Sequence, residues 1–425
     1  MHKYINVGIH TYFLTCRFCN SHKVRQVLNL GYVPLAGGFF KENTPQKVLE
    51  NEKLYPLQLN FCESCYLLQC NVSIPPETLF KDYFYYSSTI KTLVEHFNRT
   101  AKGVKKYLDQ KKAFIIEIGC NDGTFLDALA NEGYTVLGVD PAENITIPLI
   151  KKGKPILNTF FTENVGSKIA KDYGRADAIY SFHSMAHIED MHSVMRGIKK
   201  VLKKNGYLAF EVHYLGKLIQ EMQYDMIYHE HQFYYSLLSL KKFFGIYDME
   251  IFDVSQTPLR GGSIMYYVQN KKSGKRKINK SVKLLETAEK KQGLTKMKTY
   301  TSFAKRIEKT KKSLLKTIDT LRKDNKNIIG YGASGRGTVI MNYCNLTADS
   351  VKLVVDDSPM KQNSYMPGTH QKIYSSKKLL ENPKSTYAVL FAWPFVNEVL
   401  LRNSEYIKRG GQFIVPLPSV KILPK

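Results

Sequence analysis

Residues 113–144 read AFIIEIGCNDGTFLDALANEGYTVLGVDPAEN. An apolar strand runs into a turn bounded by Gly119 and Gly123, a helix follows, and a second strand ends on Asp140. That order is the first half of a nucleotide-binding α/β sheet. The turn lacks the full Gly-x-Gly-x-x-Gly of a nicotinamide site, so no pyrophosphate cradle is built. A wide, glycine-bounded turn suits S-adenosylmethionine (SAM), which presents a carboxylate, an amine and a sulfonium. Gly119 and Gly123 let the backbone approach the methionine moiety. Asp140 is placed to accept from both ribose hydroxyls, as an acid does in dinucleotide folds. Glu117 and Asn121 flank the turn, and a further strand begins at Asp177. These six residues form the expected cofactor set, which favours a methyltransferase over a non-catalytic nucleotide-fold domain.

Working outward, DAIYSFHSMAHI is a strand with polar residues at its carboxyl end, and the helix around MHSVMRGIKKVL and the strand GYLAFEVHY continue the alternation. Alternating strands and helices imply a parallel sheet. The pattern restarts at KNIIGYGASGRGTVIMNYC, again strand, glycine turn and helix, with VKLVVDD, YAVLFAWPF and GQFIVPLP as later strands. A chain of 425 residues is expected to hold two or three domains. The expected class is α/β: a zinc-binding module over 1–80, a Rossmann-like methyltransferase domain over 81–255, a connecting strand and basic helical segment over 256–326, and a second Rossmann-like α/β domain over 327–425.

Four of the seven cysteines form two pairs, Cys16 and Cys19 in CRFC and Cys62 and Cys65 in CESC. Two Cys-x-x-Cys pairs read as four thiolates around a tetrahedral zinc. Four cysteines leave no open coordination position, so the expected role is structural. The alternative, redox-active pairs, usually needs only one such motif. Cys70, Cys120 and Cys344 read as ordinary buried thiols. The net charge of +25 is concentrated: residues 271–326 hold 20 Lys and Arg against 5 Asp and Glu, or +15. Leu294, Met297, Phe303, Ala304, Ile307, Leu314, Ile318 and Leu321 keep helical spacing beneath those lysines, so the segment reads as an apolar stripe with a solvated back. No run of about 18 apolar residues predicts a membrane span. The start lacks a signal-peptide pattern, and together these point to the cytoplasm.

The combination of paired cysteines, YFYYSS at 83–88, EIGCNDG, AHIEDMH at 186–192, YHEH at 228–231 and the tail GYGASGRGTVIMNYC with VVDDSPMKQNSYMPGTH resembles the sugar C-methyltransferase family, over nearly the whole chain. That family methylates C-3 of nucleotide-linked 4-keto-deoxysugars. The resemblance implies a nucleotide-diphosphate sugar as substrate, with SAM and a structural zinc as cofactors. By the same resemblance His231 is the base, Tyr228 and Glu230 share its motif, and Tyr85 and His187 line the pocket. The chemistry is consistent. A proton α to a ketone is acidic enough for a histidine to remove, and the enolate oxygen then needs a donor. Ser88 and Tyr85 are expected to touch the sugar nucleotide. In the second glycine turn, Gly332 and Arg336 are expected to meet its diphosphate at a helix N-terminus. His229 takes no role.

Two other readings compete: a zinc-containing RNA or protein methyltransferase, and a non-catalytic scaffold of glycan assembly. The first wants aromatic residues interleaved with the basic segment for base stacking, and only Tyr300 and Phe303 are offered there. Nucleic acid is therefore not the expected partner, and a monomer is the expected state.

Overall fold

The computed structural model describes residues 3–8, 10–80, 83, 85–108 and 112–424. Residues 81 and 82 at the expected domain start, and Phe84 of YFYYSS, lie outside them. The central sheet has seven strands: β1 (Phe114–Ile118), β2 (Thr135–Asp140), β3 (Ile156–Asn158), β4 (Ala176–Phe182), β5 (Leu202–His213), β6 (Met249–Thr257) and β7 (Ser263–Asn270). Their spatial order is β3-β2-β1-β4-β5-β7-β6. Strands β3 through β5 run parallel, whereas β7 is antiparallel to both β5 and β6. The wholly parallel expectation is thus corrected at one strand. β6 and β7 form a hairpin, and a hairpin reverses direction by construction. β7 lies beyond the expected boundary at 255/256 and yet completes the central sheet.

β1 and β4 are almost wholly buried because helices cover both sheet faces, as parallel sheets require. The helix Lys91–Gly103 packs on one face through Leu93, Phe97 and Ala101, spaced by one helical turn each. Turn residues at the carboxyl ends of β1, β2 and β4 gather on one edge, where ligands of open α/β sheets bind.

The zinc-bearing segment forms an antiparallel sheet of Val24–Val33, Tyr55–Cys62 and Leu68–Cys70. Its fourth strand, Phe233–Tyr234, comes from just after YHEH, with Phe233 opposite Gln69 and Tyr234 opposite Leu68. The C-terminal sheet holds β8 (Asn327–Tyr331), β9 (Val354–Asp356), β10 (Ile373–Ser375), β11 (Thr386–Leu390), β12 (Gln412–Val415) and β13 (Lys421–Leu423), in the order β10-β9-β8-β11-β12-β13. All but the last pair run parallel.

The basic segment is two helices, Lys280–Gln292 and Met297–Lys323, separated at Gly293 with φ +76°. A left-handed glycine just past a helix is an ordinary stop. The expected stripe is buried: Leu294, Phe303, Ile307, Leu314, Ile318 and Leu321 join one core with the zinc sheet and the C-terminal sheet. Met297 and Ala304 pack at its margin. Tyr300 belongs to the stripe too and stacks on Phe61 at 4.4 Å between ring centres. Both aromatics of the segment are therefore interior, and its exposed back presents no stacking platform.

Candidate active site

The carboxyl ends of β1, β2 and β4 open onto a cavity of about 1290 Å³. Nine residues singled out from the sequence line it: Tyr85, Glu117, Gly119, Asn121, Asp140, His187, Tyr228, Glu230 and His231. They come from four separate stretches of chain.

The glycine turn forms one wall. Gly119 has φ +76°, and a Cβ there would lie 1.9 Å from Ser184 Oγ, so glycine is needed twice over. Gly123 has φ +74° and precedes the first turn of the helix Thr124–Asn131. The Asp140 carboxylate is fixed from both sides: Asn121 N–H donates to Oδ2 at 2.8 Å and Ala142 N–H to Oδ1 at 2.9 Å. Burial raises its pKa, and those two amides oppose the rise. The Asn121 side chain ties YFYYSS over the turn, accepting from Ser87 N at 3.0 Å and donating to Tyr85 O at 2.9 Å. Ser88 is exposed, donates its N–H to Asp122 at 2.9 Å, and is not part of the cavity wall.

Glu117 Oε2 is buried with no hydrogen-bond partner among the described residues, at the foot of the same wall. Burial, then Asp140, Asp122 and Asp127, push this acid well above its ordinary range. A buried acceptor of this kind costs free energy unless a ligand satisfies it. The cationic amine of SAM answers that need, and the Asp140 carboxylate suits a ribose diol, so the residues fit this cofactor.

Asp177 does not belong with them. It stands at the amino end of β4, where its carboxylate accepts from Phe114 N at 3.0 Å and from Lys203 Nζ at 2.7 Å. The glycine turn follows the carboxyl end of β1, and β1 and β4 are parallel, so Asp177 lies on the opposite edge of the sheet.

The YHEH stretch supplies the facing wall. His231 Nδ1–H donates to Met226 O at 2.7 Å. A carbonyl can only accept, so it fixes the neutral tautomer and leaves the ring's lone pair on Nε2. The Tyr228 ring lies 4.0 Å from the His231 ring and the His187 ring 5.1 Å from it. Glu230 faces Gly37 of the zinc segment, whose added Cβ would lie 3.4 Å from Oε1. Loss of water pushes Glu230 up to about 7, against the Gly37 N–H. His229 points the other way, into the zinc segment, with Nε2 on Pro56 O at 3.2 Å and Tyr55 edge-on. Burial takes its pKa down to about 4, so it is a neutral packing residue.

The four expected zinc ligands converge. All four Sγ atoms lie within 4.8 Å of one another, Cys16 and Cys65 at 3.4 Å and Cys19 and Cys62 at 3.6 Å. Thiolates at the usual ~2.3 Å from zinc form a tetrahedron with edges of ~3.8 Å, so the cluster fits that ion. Three of the four are buried, and none lines the cavity. The metal's role is structural.

Gly332 and Arg336 are not brought to the cavity. Arg336 pairs with buried Asp225 at 3.3 Å, and Trp393 Nε1–H donates to the same carboxylate at 2.6 Å. The helix Gly335–Tyr343 begins against the zinc segment: a Cβ on Gly335 would meet Ala36 at 3.3 Å, and Thr338 donates to Ala36 O at 3.2 Å. That turn packs two modules together, and the diphosphate role expected of Gly332 and Arg336 has no support from the cavity lining.

Two groups were not singled out from the sequence. Glu211 at the end of β5 contacts His183 Nε2 at 3.2 Å and His96 Nε2 at 2.7 Å. Burial disfavours its charge, but the two histidines outweigh burial and take its pKa down to about 2. His183 holds φ +59°, unusual for a side chain of its size, at the cavity wall. The polar carboxyl end of SFHSMAHI was its only local signal. The second group is Arg17, inside CRFC, with Gln232, one residue after YHEH.

A Rossmann-like sheet with this glycine turn, its acid, and a four-cysteine zinc module defines a SAM-dependent methyltransferase. Family models match three successive parts of the chain. Residues 16–80 match the "Putative zinc binding domain", 93–252 the "Methyltransferase domain", and 258–418 the "C-methyltransferase C-terminal domain". The chain is 29% identical to C-methyltransferase NovU of Streptomyces niveus over 409 residues, 96% of both chains. It is 26% identical to a ubiquinone biosynthesis O-methyltransferase of Escherichia fergusonii over 100 residues, 23% of this chain and 41% of that protein. Magnesium protoporphyrin IX methyltransferase from Synechocystis PCC 6803 aligns over 45% of this chain and 90% of its own, at 15% identity and TM-score 0.32. Together these matches describe a SAM-dependent C-methyltransferase related to NovU.

Proposed function

We propose that this enzyme methylates the carbon α to the ketone, C-3, of a nucleotide-diphosphate 4-keto-deoxysugar. One observation carries the reading: Tyr85, His187, Tyr228, Glu230 and His231 face the same cavity as the glycine turn and Asp140. At about 1290 Å³ that cavity exceeds the ~300–1,000 Å³ usual for one ligand, and so has room for two. The relationship to C-methyltransferase NovU points the same way.

In this reading His231 Nε2 takes the α proton, while Nδ1–H stays on Met226 O and keeps the ring aimed. The electron pair of the broken C–H bond moves to the ketone oxygen. Tyr228, whose ring lies tilted 4.0 Å from the imidazole, is placed to donate to that oxygen. Glu230, ionised above pH about 7, balances the imidazolium that forms. SAM, when bound, supplies an electrophilic methyl for the nucleophilic carbon. Glu117 and Asp140 would hold its amine and ribose, and Asn121 holds Tyr85 across the mouth of the turn. We place the protein in the cytoplasm, which suits seven unpaired cysteines. Among the described residues no helix is long and apolar enough to cross a membrane.

The test is mass spectrometry of nucleotide-linked keto-sugars incubated with enzyme and SAM in D₂O. A product one methyl group heavier, with fragmentation placing that group on carbon, is the expected result. Every sugar returning unchanged, with SAM and zinc both bound, would sink the reading and revive an RNA or protein substrate.

A further inference from the structure

Arg17 is carried between two zinc ligands yet is spent on the opposite wall of the active site. It is 3% exposed, and its guanidinium lies between the rings of Phe13 and Phe233, at 4.3 and 4.4 Å. Nη1 donates to Gln232 Oε1 at 2.6 Å, and Nη2 to Glu189 O at 2.9 Å. Its own backbone N–H donates to Gln69 Oε1 at 3.1 Å, on the strand that pairs with Phe233. A buried cation is expensive to desolvate, and here Nη1 and Nη2 reach only neutral acceptors between two ring faces, while Nε has no partner among the described residues. Such an arrangement calls for a reason beyond stability.

Gln232 supplies it. Besides accepting from Arg17, its Nε2 donates to His229 O. Its N–H donates to Ala186 O at 2.8 Å, and its carbonyl accepts from Cys70 N at 2.9 Å. Ala186 precedes His187, and His229 and Gln232 bracket Glu230 and His231. Cys70 Sγ donates to His231 O at 3.3 Å. One side chain and its backbone therefore bind both strands of chain that carry the facing imidazoles, whose rings are 5.1 Å apart.

We propose that Arg17 and Gln232 are positioning residues: Arg17, anchored by the zinc thiolates at Cys16 and Cys19, holds Gln232, which fixes His231 against His187. The zinc site is thereby coupled to the placement of the base, although none of its four cysteines lines the cavity. This inference rests on the reading of His231 as the base for its effect on rate, but not for the geometry itself. A guanidinium can reach Gln232 and Glu189 O together because its donors form a rigid fork, which an ammonium cannot imitate.

The experiment uses the full, zinc-loaded chain with histidine-selective ¹⁵N labelling, comparing wild type, Arg17→Met, Arg17→Lys and Gln232→Met. Zinc content, melting temperature and SAM affinity report whether each variant is folded. The expected result for Arg17→Met is retained zinc and SAM binding, a His231 Nδ1 resonance moved or broadened, and a fall in kcat of about 10²-fold with little change in KM. Arg17→Lys recovers part of the loss, since it keeps the charge and one donor. Gln232→Met gives the same signature should Arg17→Met fail to fold. Unchanged His231 resonances in folded variants would overturn the proposal, whatever the activity. If the resonances move while turnover holds, the coupling stands and the assignment of His231 as base falls.

Discussion

Replacing Asp140 by asparagine separates cofactor binding from everything else in the site. Each Asp140 oxygen already accepts one backbone amide, from Asn121 at 2.8 Å and Ala142 at 2.9 Å, which leaves each a lone pair for the cavity. A ribose diol offers two O–H donors, and hydrogen bonds to a charged acceptor contribute about 1.5–3 kcal/mol each. Asparagine keeps one oxygen, and its NH₂ must face one of the two amides, donor against donor. One charge-assisted bond is lost and the other weakened, about 3 kcal/mol together, so the SAM dissociation constant should rise about 10²-fold. Calorimetric titration with S-adenosylhomocysteine, which cannot react, measures this directly. The orphaned amide should also lower the melting temperature, by an amount corresponding to about 1–3 kcal/mol. In the unaltered enzyme affinity should weaken on acidification at a higher pH than an ordinary aspartate would give, because burial raises this pKa. A dissociation constant within about threefold of wild type, in a folded and zinc-loaded Asp140→Asn, would refute the reasoning.

His231→Gln should lower methyl transfer by about 10²–10⁴-fold and abolish deuterium entry α to the ketone, with SAM affinity unchanged by calorimetry. For Glu230 the sign follows from its raised pKa of about 7: the ionised form is present above that pH and lost as pH falls through it. The acid limb of log(kcat/KM) against pH should therefore include a Glu230 step near 7, and Glu230→Gln should remove that step and lower the plateau. Cys62→Ser should lose zinc, read by metal analysis, and unfold at lower temperature, because the binding energy of a four-thiolate zinc is folding energy.

Features encoded locally were legible in the sequence. The turn from Glu117 to Gly123 and the acid ending β2 need only neighbours a few residues away. The apolar stripe under the lysines follows from helical period alone, and the break at Gly293 is a single left-handed glycine within it. Asp177 follows the turn, helix, strand and acid in the expected order, but its place at the start of its strand sets it on the far edge of the sheet. What escaped depends on long separations. Arg17 meets Gln232 across 215 residues and Arg336 meets Asp225 across 111. No periodicity announces such pairs, because each partner is chosen by how whole modules pack. Glu211 escaped for a related reason: its histidines come from the helix Lys91–Gly103 and from the end of β4, while it stands on β5.

The two-residue strand Phe233–Tyr234 bears on how the chain is made. It closes an edge of the zinc sheet that Leu68–Cys70 otherwise exposes. During synthesis at ~5–20 residues per second, that edge waits roughly ten to thirty seconds for residue 234 to emerge. An open strand edge is a template for unwanted pairing. A fragment ending near residue 80 would lack its closing strand, so the cysteine-bearing sheet is complete only once residue 234 has been made.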